Sequence, residues 1–370
     1  MKKTAFYTLG CRANQAQTEV LRSLLPEEGD ICVINTCMVT HDAERKSRQA
    51  IRRMIRENPT AKIIITGCLA KLKVKELKKL FPQAEIVNSP SLITSHIPHI
   101  SRVRMNLMIQ DGCEHFCSYC IVPYTRGKVQ SKPLAQVEKE AKQLVGAGAG
   151  EIILTGINLA TYQYDLKEVI KRLSPIENLF RIRFSSLEPM YLDRKLIDAI
   201  AENPKVCRFL HIPLQSGDNN ILKSMKRNYK REDYIDLIKY IRRKIPECGI
   251  STDIIVGFPG EGEKEFQNSI DLVNDLKFSR IHIFPYSIRK GTPAAEMPDQ
   301  VNERTKAERN KNLHKLRDKY MKEFAKQYLN KEVEILVERK GEGLTSNFIR
   351  CYFDDPTNST GKLRSIIYPG

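Results

Sequence analysis

No apolar run in this chain of 370 residues approaches the ~20 residues that a membrane-spanning helix requires. Its first residues, Met1-Lys2-Lys3-Thr4-Ala5-Phe6-Tyr7-Thr8-Leu9-Gly10-Cys11, are superficially like a lipoprotein signal. The apolar stretch there is too short, and Thr4 and Thr8 break it. A cytoplasmic protein with no membrane contact is expected. Cysteine is also scarce: ten in the chain are too few for a disulfide scaffold and point to a reducing compartment. No Ser-His-Asp arrangement and no paired-carboxylate site calls for hydrolytic chemistry. Acidic residues are in deficit, 44 Asp and Glu against 61 Lys and Arg, a net charge of +17 at pH 7. That balance favours a polyanionic partner, nucleic acid first among them.

A chain of this length can bury a sizeable core and is expected to form two or three domains. Three segments in its first hundred residues share one plan: Ala5 to Leu9 then Gly10-Cys11, Ile31 to Thr36 then Cys37, and Lys62 to Thr66 then Gly67-Cys68. Each reads as a strand followed by a cysteine. Helix-compatible stretches (17–25, 42–57 and 74–80) separate them, which is the pattern of parallel βαβ units. Residues just past the carboxyl ends of parallel strands land on one rim. Cys11, Cys37 and Cys68 are therefore expected to converge, with a spacing set by neighbouring strands at ~5 Å. Taken singly, each thiol would be a small buried hydrophobe; the threefold repetition argues for a ligand set. Cys32, Cys207, Cys248 and Cys351 carry no such pattern and read as structural filler.

A denser set follows in Cys113-Glu-His-Phe-Cys117-Ser-Tyr-Cys120. Three thiolates on one short loop can each ligate one iron of a four-iron cube and leave the fourth iron without a protein ligand. The alternatives are a zinc knuckle or plain free thiols; zinc calls for a fourth nearby Cys or His, and His115 points awkwardly for that.

The Cys-x3-Cys-x2-Cys spacing, with Tyr119 before the last Cys, resembles the cluster loop of radical S-adenosylmethionine (SAM) enzymes. Asp111-Gly112 before it and Ile121-Val122-Pro123-Tyr124-Thr125-Arg126-Gly127 after it are similar to the methylthiotransferase branch. Gly10-Cys11-Arg12-Ala13-Asn14, Asn35-Thr36-Cys37 and Gly67-Cys68 are similar to the amino-terminal domain of that branch. The resemblance implies two 4Fe-4S clusters, one on Cys113, Cys117 and Cys120 and an auxiliary one on Cys11, Cys37 and Cys68. It also implies SAM as cofactor, a reductant such as flavodoxin or ferredoxin, and a sulfur donor. In such enzymes the open iron chelates SAM, and the protein mainly orients a cofactor that carries the hard chemistry.

Beyond residue 101, strands are expected near 105–110, 151–155, 181–186, 208–214, 250–256 and 280–286. The fold class is α/β: an amino-terminal parallel-sheet domain (1–100), a central partial (β/α)6 barrel (101–325) and a small carboxyl-terminal β domain (326–370). Chemistry on such barrels sits at the strand carboxyl ends. Candidate SAM contacts are Gly150 and Glu151 in Gly148-Ala149-Gly150-Glu151, and Ser185 and Glu188 in Ser185-Ser186-Leu187-Glu188-Pro189. Gln215 and Ser216 in His211-Ile212-Pro213-Leu214-Gln215-Ser216-Gly217 join them, with Tyr119 against adenine. Gly257 to Glu261 reads as a tight turn before a helix. No catalytic residue beyond the cluster ligands is expected.

Between Arg45 and Lys79 twelve basic residues face only Glu57 and Glu76. Arg45, Arg48, Arg52 and Arg56 fall at helical spacing and would form one cationic face for phosphates. The tail from about Glu332 resembles a short TRAM domain, a small tRNA-binding β-barrel; Phe348, Tyr352 and Phe353 are candidates for stacking on bases. Leu9 to Gln15, Val33 to Thr40 and Ala43 to Gln49 are most similar to the type that methylthiolates carbon 2 of threonylcarbamoyladenosine in the tRNA anticodon stem-loop. Departures from that type are Arg12-Ala13, where Lys-Val is more frequent, the short stretch between Cys11 and Cys37, and the reduced tail. Alternative substrates are isopentenyladenosine in tRNA and a ribosomal-protein aspartate; the non-enzymatic alternative is an iron-sulfur, RNA-binding redox regulator.

Overall fold

The computed structural model describes residues 3–88 and 102–370, so the expected border at residue 100 lies outside the described residues. Strands β1 (Ala5–Thr8), β2 (Ile31–Thr36), β3 (Lys62–Gly67) and β4 (Glu85–Ile86) form one parallel sheet in that order. Helices α1 (Arg12–Leu24), α2 (His41–Glu57), α3 (Cys68–Leu72) and α4 (Val74–Leu80) lie between them. Ile63, Ile64 and Ile65 are all buried, as a parallel strand covered on both faces requires. Ile34, Ile51, Ile65, Leu69 and Leu77 close that core without solvent access. The Thr40 hydroxyl starts α2 by accepting from the Ala43 amide, and Asp42 and Glu44 occupy the first turn, where the helix dipole favours them.

The middle of the chain begins with β5 (Arg104–Met108) and a two-residue clasp in which β6 (Gln110–Asp111) pairs antiparallel with β7 (Gln130–Ser131). Helix α5 (Val122–Arg126) lies inside the clasped loop. Strands β8 (Glu151–Thr155) and β9 (Arg181–Phe184) extend β5 in parallel; β10 (Phe209–His211), β11 (Gly249–Val256) and β12 (Arg280–Pro285) form a second parallel set. Single bridges from Ile182 to Val206 and from Ser186 to His211 join the two sets, giving six strands in sequential order, a partial barrel. Helices α6 (Leu134–Gly146), α7 (Leu166–Leu173), α8 (Arg194–Glu202), α9 (Asn219–Ser224), α10 (Arg231–Lys244) and α11 (Glu263–Leu276) intervene. Ile152, Leu154, Ile182, Phe184, Leu210, Ile250 and Ile254 pack into the core that these helices cover. The strand period of two therefore turns Asn106, Arg183, His211, Asp253 and His282 to the other face, the lumen.

Helix α12 (Glu303–Lys326) docks on this barrel through buried Leu313 and Tyr320 and through Arg309, which donates to the Glu261 carboxylate at 2.8 Å. Four antiparallel strands follow: β13 (Glu332–Arg339), β14 (Glu342–Thr345), β15 (Arg350–Tyr352) and β16 (Leu363–Ile367), in the order β15-β14-β13-β16. This open sheet covers the amino ends of the barrel strands. Arg181 donates to the carbonyls of Leu344 (2.5 Å) and Glu334 (3.0 Å), and the Ser346 hydroxyl accepts from the Arg208 amide at 2.8 Å.

Candidate active site

The three closely spaced thiols sit beyond the carboxyl end of the first barrel strand, on a loop that the backbone fixes tightly. The Cys113 amide donates to the Gly127 carbonyl at 3.1 Å, and Ser118 bonds through its amide and hydroxyl to the carbonyls of Met225 (3.1 Å) and Ser224 (2.7 Å). Gly112 holds φ +80, and a Cβ there would lie 2.0 Å from the Lys128 carbonyl oxygen, so only glycine closes the clasp. Burial raises the pKa of all three thiols, that of Cys120 to about 12. Thiolates in such a place require a compensating cation, which bound metal supplies while releasing the protons. Arg227 is buried beside them, 3.6 Å from the Cys117 sulfur and paired with Glu188.

The second trio forms on the rim of the amino-terminal sheet. Cys11 follows β1 and caps α1, Cys37 follows β2, and Cys68 opens α3 directly after β3. Cys37 and Cys68 are buried and Cys11 is exposed. Burial raises the Cys37 thiol to about 11, and the charges of Cys68 and Cys11 push the same way. Asn14 knits the rim together: its amide donates to the carbonyls of Leu9 (2.8 Å) and Thr36 (3.0 Å), while its oxygen accepts from Arg126 at 2.5 Å. Ser47 brackets Cys37, accepting from its amide at 3.0 Å and donating to its carbonyl at 2.7 Å. Gly67 holds φ +92, with the Thr36 carbonyl oxygen 2.3 Å from any added Cβ.

Arg126 connects the two trios. It lies six residues past Cys120 in sequence yet hydrogen-bonds Asn14, faces Asp111 at 3.5 Å and is near enough to Cys68 and Cys11 for their charges to act on it. Burial works against its charge, but Cys68, Asp111 and Cys11 together raise its pKa. Helix α5 packs against α3, which Cys68 opens, and Ile121 packs into the core of the amino-terminal domain. The segment after the cluster loop thus packs against the rim that carries Cys68.

At the cluster loop and at strand carboxyl ends, some buried polar atoms lack partners. Ser185 Oγ, Asn158 Oδ1 and His115 Nε2 are buried and make no hydrogen bond, a state that costs about 1–3 kcal/mol per group in a closed core. Asn158 lies near Cys113 and lowers its thiol pKa against the effect of burial. Gln215 is held at φ +70, its backbone bonded to Asp253 and Ile255 at 2.8 and 2.9 Å; the buried Ser216 hydroxyl accepts from the Asp218 amide at 3.2 Å. Tyr119 packs edge-on to Phe258, ring centroids 6.5 Å apart. Unsatisfied acceptors and donors at strand carboxyl ends, next to three thiols, fit a cluster with a polar ligand bearing ammonium, carboxylate and hydroxyl groups.

Comparison with known proteins shows the family. Residues 107–273 match the radical SAM superfamily, and residues 3–89 match an uncharacterized protein family, UPF0004. The chain is 37% identical to the threonylcarbamoyladenosine tRNA methylthiotransferase MtaB of Bacillus subtilis, over 98% of this chain and 93% of that protein. It is 36% identical to the tRNA-2-methylthio-N(6)-dimethylallyladenosine synthase of Pelotomaculum thermopropionicum, over 91% and 87%. The chain belongs to the radical SAM methylthiotransferase family. Among solved structures, the radical SAM methyltransferase TsrM of Kitasatospora setae, with cobalamin and a [4Fe-4S] cluster bound, shares the fold at TM-score 0.59 and 14% identity, covering 80% of this chain and 77% of that one. As a member of this family the protein is a transferase that works with SAM and [4Fe-4S] chemistry.

Several expected contacts of this methylthiotransferase lie elsewhere. Gly150 and Glu151 stand at the amino end of β8, opposite to the cluster loop. Gly150 packs under Phe180 and Leu336, and the buried Glu151 pairs with Arg183 (2.7 Å) and Arg104 (2.9 Å). Burial opposes the Glu151 charge, but Arg183 and Arg104 outweigh it and hold the pKa at about 2. The error came from reading the glycines as a strand-end motif when they precede the strand; Thr155, Gly156 and Asn158 occupy the carboxyl end. Phe348 is not free to stack on a base: it sits at φ +76, stacked on Phe209 with centroids 4.5 Å apart and under Arg183. Arg48 is half-buried between Glu44 (2.8 Å) and Glu76 (2.9 Å), whereas Arg45, Arg52 and Arg56 are exposed on α2. Glu261 caps its own turn by accepting from the Gly257 amide at 2.7 Å. Sequence reasoning passed over Asn14, Arg126, Asn158 and Arg227, which act through distant contacts that spacing does not reveal.

Proposed function

We propose that this enzyme methylthiolates carbon 2 of threonylcarbamoyladenosine next to the anticodon of tRNA, using two SAM molecules and two 4Fe-4S clusters in the cytoplasm. The observation that carries the reading is the junction at Arg126, where the segment that follows Cys113, Cys117 and Cys120 packs against the rim that carries Cys11, Cys37 and Cys68. When bound, the clusters and SAM supply radical activation of an unreactive carbon and the sulfur to be inserted. Cys113, Cys117 and Cys120 would hold one cluster, and Cys11, Cys37 and Cys68 the other. Ser185, Glu188, Gln215, Ser216 and Tyr119 are the candidate SAM contacts. Arg227 holds Glu188 in place and adds positive charge beside Cys117. Substrate choice rests on similarity to the Bacillus subtilis relative and on the segments Leu9 to Gln15, Val33 to Thr40 and Ala43 to Gln49.

Exposed Arg45, Arg52 and Arg56 supply phosphate contacts for the anticodon stem-loop. A reductant such as flavodoxin or ferredoxin and a sulfur donor complete the partners. Dimethylallyladenosine in tRNA is the second reading, favoured by relatives of that activity at 35 and 36% identity. Mass spectrometry of tRNA nucleosides from cells lacking the gene separates the two. Loss of methylthio-threonylcarbamoyladenosine supports the proposal; loss of the dimethylallyl product instead, or an unchanged profile, refutes it.

A further inference from the structure

The barrel lumen carries a donor set that uses none of the six thiols. His211 ends β10, Asp253 lies within β11 and His282 within β12, three neighbouring parallel strands. Asp253 and His282 are register partners, and His211 pairs with Ser251, one lumen step from Asp253. The strand period of two therefore turns all three side chains into one space. Each offers one ligand atom, and these atoms all lie within 4.8 Å of one another. His211 Nε2 stands 3.3 Å from Asp253 Oδ2, and its Nδ1 shares a hydrogen bond of 3.0 Å with the Ser251 hydroxyl. The His282 ring lies edge-on to His211, centroids 5.6 Å apart, and makes no hydrogen bond among the described residues. The Asp253 carboxylate meets no Lys or Arg there either. The nearby guanidiniums are engaged towards the amino ends of the strands: Arg104 and Arg183 pair with Glu151, and Arg280 lies over the Phe348 ring.

A partly desolvated carboxylate is costly unless a cation completes it. Ligand atoms at about 2.0–2.1 Å from a tetrahedral zinc ion stand about 3.3–3.4 Å apart. The His211 and Asp253 atoms already have that spacing. His282 is exposed on the edge strand β12, so a side-chain rotation closes the remaining gap. Two imidazoles with one carboxylate suit a zinc-like ion rather than magnesium or calcium, which take oxygen shells. A metal-bound imidazole is normally oriented by a partner on its other ring nitrogen, the place Ser251 holds at His211. We propose that His211, Asp253 and His282 bind one divalent transition-metal ion of the zinc class, separate from both thiol trios. Three protein ligands leave a coordination position open to the lumen, as in sites that also bind water or a substrate oxygen. The Asp253 carbonyl accepts from the Gln215 amide at 2.8 Å, which ties the backbone of this site to that of a candidate SAM contact.

The test takes the full chain with its clusters reconstituted, adds Zn2+ in slight excess and removes unbound metal by desalting. Zn2+ displaces Fe2+ left from reconstitution, because it binds such donors more tightly. Retained zinc is counted by mass spectrometry, and its ligands are read from the zinc K-edge absorption spectrum. One zinc per chain is expected, in a nitrogen and oxygen shell at about 2.0–2.1 Å. His282→Ala and Asp253→Asn should each lose it, whereas Cys113→Ala, Cys117→Ala and Cys120→Ala together should keep it. No retained zinc overturns the site, as does zinc that both lumen variants still hold. A sulfur shell at about 2.3 Å, or loss of zinc in the triple-Ala variant, assigns the ion to the thiols and overturns it too. Should a variant fail to fold, the wild-type spectrum decides alone: its outer scattering counts imidazoles, and fewer than two contradicts the proposal.

Discussion

The two thiol trios are gathered by opposite means. Cys113, Cys117 and Cys120 lie within eight residues, so a short clasped loop suffices to gather them. Cys11, Cys37 and Cys68 are separated by whole βαβ units and meet only because three parallel strands end on one rim. The first site depends on local backbone geometry, the second on the integrity of a sheet. A change that disturbs the sheet should therefore remove one metal centre and spare the other.

The sharpest way to break this contrast is to delete each set in turn. Cys113→Ala, Cys117→Ala and Cys120→Ala together should abolish SAM cleavage, measured as deoxyadenosine formation. Cys11→Ala, Cys37→Ala and Cys68→Ala together should retain cleavage while losing methylthio product. Retained deoxyadenosine in the first variant would refute the assignment.

Next in size is the buried ion pair at the other end of the barrel. Glu151→Gln leaves Arg183 and Arg104 without their shared carboxylate and should cost about 3–5 kcal/mol in denaturant unfolding. Because the folded pKa of Glu151 is depressed to about 2, its contribution is present above the ordinary carboxylate range and fades as pH falls towards 2. The gap between wild type and variant should therefore narrow from pH 5 downwards. SAM affinity of the folded variant should stay close to that of the wild type; a large loss would return Glu151 to the SAM site.

Smaller again is Gly67→Ala, which forces a side chain into φ +92 against the Thr36 carbonyl. Strain of about 1–3 kcal/mol is expected, and iron analysis should show loss at the amino-terminal rim with deoxyadenosine formation intact. If both centres are lost together, the sheet and the loop are not independent. Last, neutralising Arg45, Arg52 and Arg56 to Gln should weaken tRNA binding and lower the salt slope by about one for each phosphate contact removed. Arg48→Gln, which breaks pairs with Glu44 and Glu76, should affect stability more than that slope.

Much of this was legible before the fold. The strand-Cys repeats located all three rim thiols because strand period and βα alternation survive in local sequence. The barrel strands were legible for the same reason, through apolar runs such as Ile250 to Val256. What could not be read was the direction of each motif relative to its strand, which misplaced Gly150 and Glu151. Nor could the long-range contacts be read: Arg126 meets Asn14 across 112 positions, and Arg227 meets Cys117 across 110. Phe348 was misjudged because an aromatic residue in a basic tail looks the same whether it waits for a base or plugs a barrel against Phe209 and Arg183.

The most direct test of the central claim is anaerobic iron and sulfide analysis with Mössbauer spectroscopy on the reconstituted wild type and both triple-Ala variants. Two cubes in the wild type, and one in each variant, are predicted. A single cube in the wild type, or a variant that keeps both, would contradict it.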